Sequence, residues 1–212
     1  MYYNTTAIFI KLIMTPYKIA ILSSTNGTNL QSFIDARDRG ELPNIEICCL
    51  ITDKALCGAA VKARAAGIKV YFIDPAPVSR ETFDQSVADT LAYFNVDLVV
   101  LGGYMKILGS SVVEKFRGKI LNIHPSLLPK FAGGMDKSVH QAVIDAGETE
   151  TGMTIHYVNE VVDGGEIVLQ KKVAVEKGDT AETLKAKVQA LEKEWYPKVV
   201  VALSQGKDPR QL

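Results

Sequence analysis

The chain has no surplus of charge: 24 basic residues balance 24 acidic ones over 212 positions, with no long run of either sign. A protein whose main partner is nucleic acid needs a basic face to neutralise phosphates, so that partner class is excluded. Cysteine is scarce. Cys48, Cys49 and Cys57 are an odd set without metal-ligand spacing, and they read as thiols buried in a reducing cytoplasm. Cys48 and Cys49 are expected on opposite faces of one strand. Long apolar runs are missing too. The stretch from Ile8 to Met14 is interrupted by Lys11, is too short to span a bilayer and has no charged region before it, so no membrane partner is expected. Met1 to Pro16 are expected to form an extension outside the fold, which begins near Tyr17. Neither G-x-G-x-x-G nor Gly-Lys-Ser/Thr occurs, which counts against a nicotinamide oxidoreductase or an ATP-binding loop.

What is present is alternation. Apolar runs at Lys18–Ser23, Ile45–Ile51, Lys69–Ile73, Leu98–Leu101 and Lys119–Ile123 read as strands. Helical periodicity separates them at Leu30–Arg37, Gly58–Ala66, Ser79–Phe94 (capped by Ser79) and Ser111–Phe116. Beyond His124 a helix over Val139–Ala146 is expected. Thr154–Val158 and Glu166–Val175 read as antiparallel strands, and Thr180–Leu203 as a long helix broken or bent near Pro197. The pattern predicts an α/β fold: an open, mostly parallel Rossmann-like sheet with an antiparallel C-terminal edge and a long C-terminal helix. One domain is expected over residues 17–212, with residues 17–117 as a phosphate-binding half and 118–212 as a catalytic half.

Three constellations carry chemistry. In Leu121-Asn122-Ile123-His124-Pro125, strand alternation turns Asn122 and His124 to one side and Leu121 and Ile123 to the core. An amide donor beside a titratable ring suits stabilisation of an oxyanion while a proton moves. A histidine that caps its own turn is the competing reading. In Ser23-Ser24-Thr25-Asn26-Gly27-Thr28-Asn29, the first strand-to-helix turn offers main-chain N–H groups to an anion, with Gly27 allowing close approach and Thr28 and Asn29 adding donors. That leaves a single terminal phosphate as guest, or an ordinary capped turn. In Asp163-Gly164-Gly165, a tight turn presents a carboxylate that, folded back over the sheet, raises the pKa of His124; a plain hairpin is the alternative.

Together with Val99-Val100-Leu101-Gly102-Gly103-Tyr104-Met105-Lys106-Ile107-Leu108, Ser126-Leu127-Leu128-Pro129 and Thr154-Ile155-His156-Tyr157-Val158, these motifs resemble the folate-dependent phosphoribosylglycinamide formyltransferases over about Lys18 to Gly206. The resemblance implies transfer of a formyl group from N10-formyltetrahydrofolate, a co-substrate, to the amine of glycinamide ribonucleotide in purine synthesis, without metal. It implies Asn122, His124 and Asp163 as catalytic residues. Gly27, Thr28 and Asn29 would hold the phosphate and Glu192 the ribose. Arg80 would lie near the folate, Met105, Lys106, Ile107 and Leu108 would line the pterin pocket with Asn122 at its edge, and the turn Val158 to Asp163 would close over it. A cytoplasmic monomer or homodimer is implied, with small-molecule partners only.

The chain departs from the family pattern in three places. Thr25 stands where glycine is usual, Lys106 where arginine is frequent, and the loop Phe131–Val139 is longer. His156 fits either the edge of the site or the packed interior, His140 reads as a surface residue, and Trp195 and Tyr196 read as core. Ser126 lacks the surroundings of an activated nucleophile. A formyltetrahydrofolate hydrolase, a sugar-nucleotide formyltransferase and a non-catalytic folate- or nucleotide-binding module on the same scaffold are the alternatives.

Overall fold

The computed structural model describes residues 15–134 and 137–212. Residues 1–14 of the expected extension, and Met135 and Asp136 of the long loop, lie outside the described residues.

Seven strands form one sheet in the order β3-β2-β1-β4-β5-β6-β7. They are β1 (Tyr17–Leu22), β2 (Ile45–Thr52), β3 (Lys69–Phe72), β4 (Leu98–Leu101), β5 (Ile120–His124), β6 (Glu150–Tyr157) and β7 (Ile167–Ala174). The first five run parallel, while β6 lies antiparallel to β5 and β7 antiparallel to β6. The chain winds outward from β1 to β3 and then returns to place β4 on the other side of β1. The crevice outside the carboxyl ends of β1 and β4, where the winding reverses, is therefore the natural ligand position.

Both faces of the parallel strands are covered. Ile19 and Ile21 of β1 and Leu98 and Val100 of β4 enter one core, with Leu30 and Phe33 of α1 (Thr28–Asp38), Ala59 and Ala63 of α2 (Gly58–Ala65) and Val188, Tyr196 and Val199 of α6 (Ala181–Ser204). Ala20, Leu22, Val99 and Leu101 enter the other, with Phe83, Val87 and Leu91 of α3 (Arg80–Phe94) and Val112 and Val113 of α4 (Ser110–Lys115). Continuous branched apolar runs such as Leu98-Val99-Val100-Leu101 are what double coverage requires.

Two elements differ from expectation. The break at Pro197 does not occur: α6 continues helical from Ala181 to Ser204. Interior proline costs roughly 3 kcal/mol, and here packing outweighs it. Tyr196, Pro197, Val199 and Val200 are buried, and the Tyr196 ring meets Phe33 edge-on at 5.5 Å. The strand expected at Thr154–Val158 begins earlier, at Glu150, because pairing with β7 extends through Gly152 to Glu150. A Cβ on Gly152 would lie 1.9 Å from the Lys171 carbonyl oxygen across the ladder. Cys49 lies in the second core, whereas Cys48 is the extra residue of a bulge opposite Ile19 and Ala20. Burial pushes the Cys48 thiol up to about 11 and that of Cys49 up to about 12, so both are inert. Among the described residues no helix is long and apolar enough to cross a membrane.

Candidate active site

β5 and β6 supply the centre of the site. Their antiparallel register sets Asn122 opposite His156 and His124 opposite Thr154, so four polar residues share one face. Thr154 serves structure: its hydroxyl donates to the Ser126 carbonyl (2.6 Å) and accepts from Leu128 N (3.0 Å) and Gln170 Nε2 (2.9 Å), pinning the turn after β5. Ser126 is fully buried and donates to the Lys130 carbonyl at 2.7 Å, a turn contact rather than a nucleophile's.

Asp163 arrives from the β6–β7 loop with a left-handed backbone, φ 54°. Its Oδ2 lies 3.2 Å from His124 Nδ1 and accepts from Gly133 N at 2.8 Å. Its Oδ1 accepts from Asn122 Nδ2 at 3.4 Å and lies 3.5 Å from His156 Nε2. Burial alone would raise this carboxyl; the bonds from His156 and Gly133 and the charge of His124 outweigh it and hold the group below its ordinary value. The structure thus brings Asn122, His124 and Asp163 together.

The expected upward push of Asp163 on His124 is present, but burial outweighs it. The imidazole is 3% exposed, and the loss of water around its charged form is the largest influence, holding the pKa below the ordinary 6.5. Asp163 does push upward, as does the Phe131 carbonyl 3.0 Å from Nε2, but neither recovers what burial removes. His156 also belongs to the cluster. Its Nδ1 donates to the Tyr157 carbonyl (2.9 Å), and its Nε2 lies between Asn122 Nδ2 at 3.1 Å and Asp163 Oδ1 at 3.5 Å. His156 is therefore a polar residue of the site's floor, not part of the apolar interior.

The loop read as a phosphate cradle sits at the amino end of α1. Gly27 caps the helix in the left-handed region, φ 70°. A Cβ on Gly27 would lie 2.7 Å from Ala59 Cα, and one on Gly58 would lie 2.9 Å from Asn26 Cα, so close packing of this loop on α2 requires glycine at both positions. Thr25, Asn26, Thr28 and Asn29 face a cavity of about 560 Å³, and Gly27 does not. Asn29 is buried, and its Nδ2 donates to Glu192 Oε2 on α6 at 3.2 Å, uniting two residues far apart in sequence.

Met105, Lys106, Ile107 and Leu108 form another wall of the same cavity. Ser24 ties this wall to the cradle: its N–H donates to the Gly103 carbonyl (2.9 Å) and its hydroxyl accepts from Met105 N (3.3 Å). Arg80 stands behind the wall, donating to the Ile107 carbonyl at 2.7 Å, and does not line the cavity. Val161 and Val162, both exposed, line it from the loop that carries Asp163. The cavity lies at the carboxyl ends of β1, β4 and β5, and its size suits small-molecule ligands.

Lys185, Gln189 and His140 are among the lining residues that escaped the sequence reading. Lys185 and Gln189 line the cavity with Glu192, at i, i+4 and i+7 on one face of α6. That spacing was the available signal. His140, expected at the surface, is 1% exposed and lines the cavity, because α5 (Lys137–Asp145) packs against α6 and turns His140 inward beside Val139.

An open sheet wound about this crevice, with an imidazole, a carboxamide and a carboxylate converging at its edge, defines a group-transfer scaffold. The chain belongs to the formyl transferase family, whose model matches residues 17–200. It is 44% identical over 191 residues to a phosphoribosylglycinamide formyltransferase of Haemophilus influenzae, covering 90% of this chain and 88% of that one. It is 41% identical over 191 residues to the trifunctional purine biosynthetic protein adenosine-3 of Bos taurus, covering 89% of this chain and 18% of that protein. The crystal structure of glycinamide ribonucleotide transformylase 1 from Symbiobacterium toebii superposes with a TM-score of 0.86 at 36% identity, covering 91% of this chain and 90% of that one.

Proposed function

We propose that this chain transfers the formyl group of N10-formyltetrahydrofolate to the primary amine of glycinamide ribonucleotide. The observation that carries the proposal is the 3.2 Å contact of His124 Nδ1 with Asp163 Oδ2, beside Asn122, at the wall of a cavity that also holds an anion cradle. The amine nitrogen bonds to the formyl carbon, the carbonyl electrons move to oxygen, and the carbon–N10 bond then breaks. One amine proton is lost and N10 gains one, so the transfer needs no redox partner.

The chain's residues serve those steps in distinct ways. Asn122 and the His124 ring donate hydrogen bonds to the developing oxyanion in a largely buried setting, where such donors count most. Approach of the formyl oxygen to His124 competes with the Phe131 carbonyl, 3.0 Å from Nε2. Asp163 orients the ring through Nδ1 and favours its protonated form, from which a proton passes to N10, directly or through water. Thr28, the main-chain N–H groups of the cradle and Asn29 hold the phosphate, and Glu192 takes the ribose. Met105, Ile107, Leu108 and the Val161–Val162 turn hold the flat folate, with Lys106 alongside and Arg80 bracing Ile107. Each ligand end draws on both halves of the chain, 17–117 and 118–212, as the Asn29–Glu192 bond illustrates. The free cysteines fit a reducing compartment, and the cytoplasm is where the proposal puts the reaction.

The test is release of tetrahydrofolate, followed with and without glycinamide ribonucleotide. The expected outcome is release that requires the amine and falls by at least about 100-fold in His124→Ala, with binding of both ligands largely kept. Release with water alone would make the chain a hydrolase. Binding without turnover in the unaltered protein would make it a carrier.

A further inference from the structure

The phosphate end of the cavity has a charge problem that the cradle does not solve. A phosphate monoester carries about −1.5 to −2 charges near neutral pH. The cradle residues Thr25, Asn26, Thr28 and Asn29 are all uncharged. Asn29 is committed to a carboxylate: its Nδ2 donates to Glu192 Oε2 at 3.2 Å in buried surroundings. That bond consumes an amide donor and fixes a negative group beside the anion's seat. Helix-end N–H groups alone offer only about half a positive charge. A lysine or arginine is the missing component.

Among the described residues that line the cavity, the lysines are Lys106 and Lys185. Lys106 belongs to the opposite wall, where its ammonium lies 5.3 Å from the centre of the Phe83 ring on α3. Lys185 is on α6, half-buried, two turns before Glu192 on the same face, with Gln189 between them. Since Glu192 touches Asn29 and α6 packs on α1, this stripe reaches the cradle at Glu192 and, through Lys185 and Gln189, lines the same cavity as Thr28. The neighbouring cation Lys187 is turned away, paired with Glu176 at 2.9 Å and Asp179 at 2.8 Å.

We propose that Lys185 supplies the positive charge that holds the substrate phosphate, with Gln189 as a neutral donor beside it, so that the phosphate is clamped between α1 and α6. On this assignment Lys185 is a specificity residue: it makes the site prefer a phosphorylated acceptor. The inference rests on the reading of the chain as a glycinamide ribonucleotide formyltransferase.

The experiment compares kcat/KM for glycinamide ribonucleotide and for its dephosphorylated riboside, in the unaltered protein and in Lys185→Gln, Lys185→Arg and Lys187→Gln. Lys185→Gln is expected to raise KM for the ribonucleotide by about 10- to 100-fold, the loss of one charge-assisted bond. It should leave the riboside untouched and flatten the dependence of KM on salt. Lys185→Arg should restore most of the preference, and Lys187→Gln should keep the unaltered value. Equal losses for both acceptors, or an undiminished preference for phosphate in Lys185→Gln, would overturn the assignment of Lys185 alone. Absence of formyl transfer by the unaltered protein would overturn the functional reading, and this inference with it.

Discussion

Asp163 is where a single residue decides most. It accepts hydrogen bonds from Gly133 N and Asn122 and faces both His124 and His156, so one carboxylate organises the whole polar cluster. Its charge raises the pKa of His124 against burial, which lowers it. Removing that charge must therefore lower the pKa further. Asp163→Asn is expected to move the alkaline limb of the pH–rate profile to lower pH and to cut kcat by at least about tenfold. An unshifted limb would break the pairing. Sequence supplied the partners here but not the balance. Asn122 and His124 were legible as same-face neighbours from strand alternation alone. The net direction of the His124 shift was not, because desolvation depends on what packs over the ring: Asp163, Phe131 and His156 come from three different segments.

At the scale of elements, α6 does two jobs that its sequence announces unequally. Its apolar stripe and terminal signals mark a helix, and Thr180 caps it as a reciprocal capping box with Thr183. Its continuation through Pro197 is a tertiary outcome, won by burial of Tyr196 and Val199 on the sheet. The Tyr196 hydroxyl sits between the carbonyls of Leu101 and Leu121, at 3.1 and 3.0 Å, and so joins α6 to β5 and to the end of β4, where the cavity opens. Tyr196→Phe leaves those carbonyls without this donor. It is expected to cost about 1–3 kcal/mol, read as a fall in melting temperature of roughly 2–4 °C per kcal/mol. KM should rise along with it as Glu192 and Gln189 loosen; a variant with unchanged melting temperature would refute the docking role. The expected roles of the cradle elements also divide on this scale. Gly27 was legible as a turn glycine, but its need arises from α2, since Ala59 occupies the space a side chain would fill.

Across the whole molecule, the sheet order brings the proposed seats of the two ligands into one cavity while different elements build them. The proposed cradle rests on β1, α1 and α6; the proposed folate wall rests on the segment after β4 and on the β6–β7 loop. Thr28→Ala combined with Asn29→Ala is accordingly expected to raise KM for the ribonucleotide by about tenfold or more, with little change in affinity for the folate, measured directly by calorimetry. Comparable losses for both ligands would contradict the spatial division. The fold class and strand directions were readable from alternation and run length, and nearly every element lies within a few residues of its expected place.

What the sequence determined by itself was local: strand and helix periods, the turn that must carry glycine, and an amide and an imidazole set two residues apart on one face. These follow from backbone geometry, which acts over a few residues. The tertiary structure decided what depends on distance and exclusion of water. It joined Asn122 to a carboxylate 41 residues away, buried His140, lowered the pKa of His124 and turned Lys185 toward the cavity. Electrostatic energies and desolvation arise only once separate segments share one space, so no local pattern encodes them.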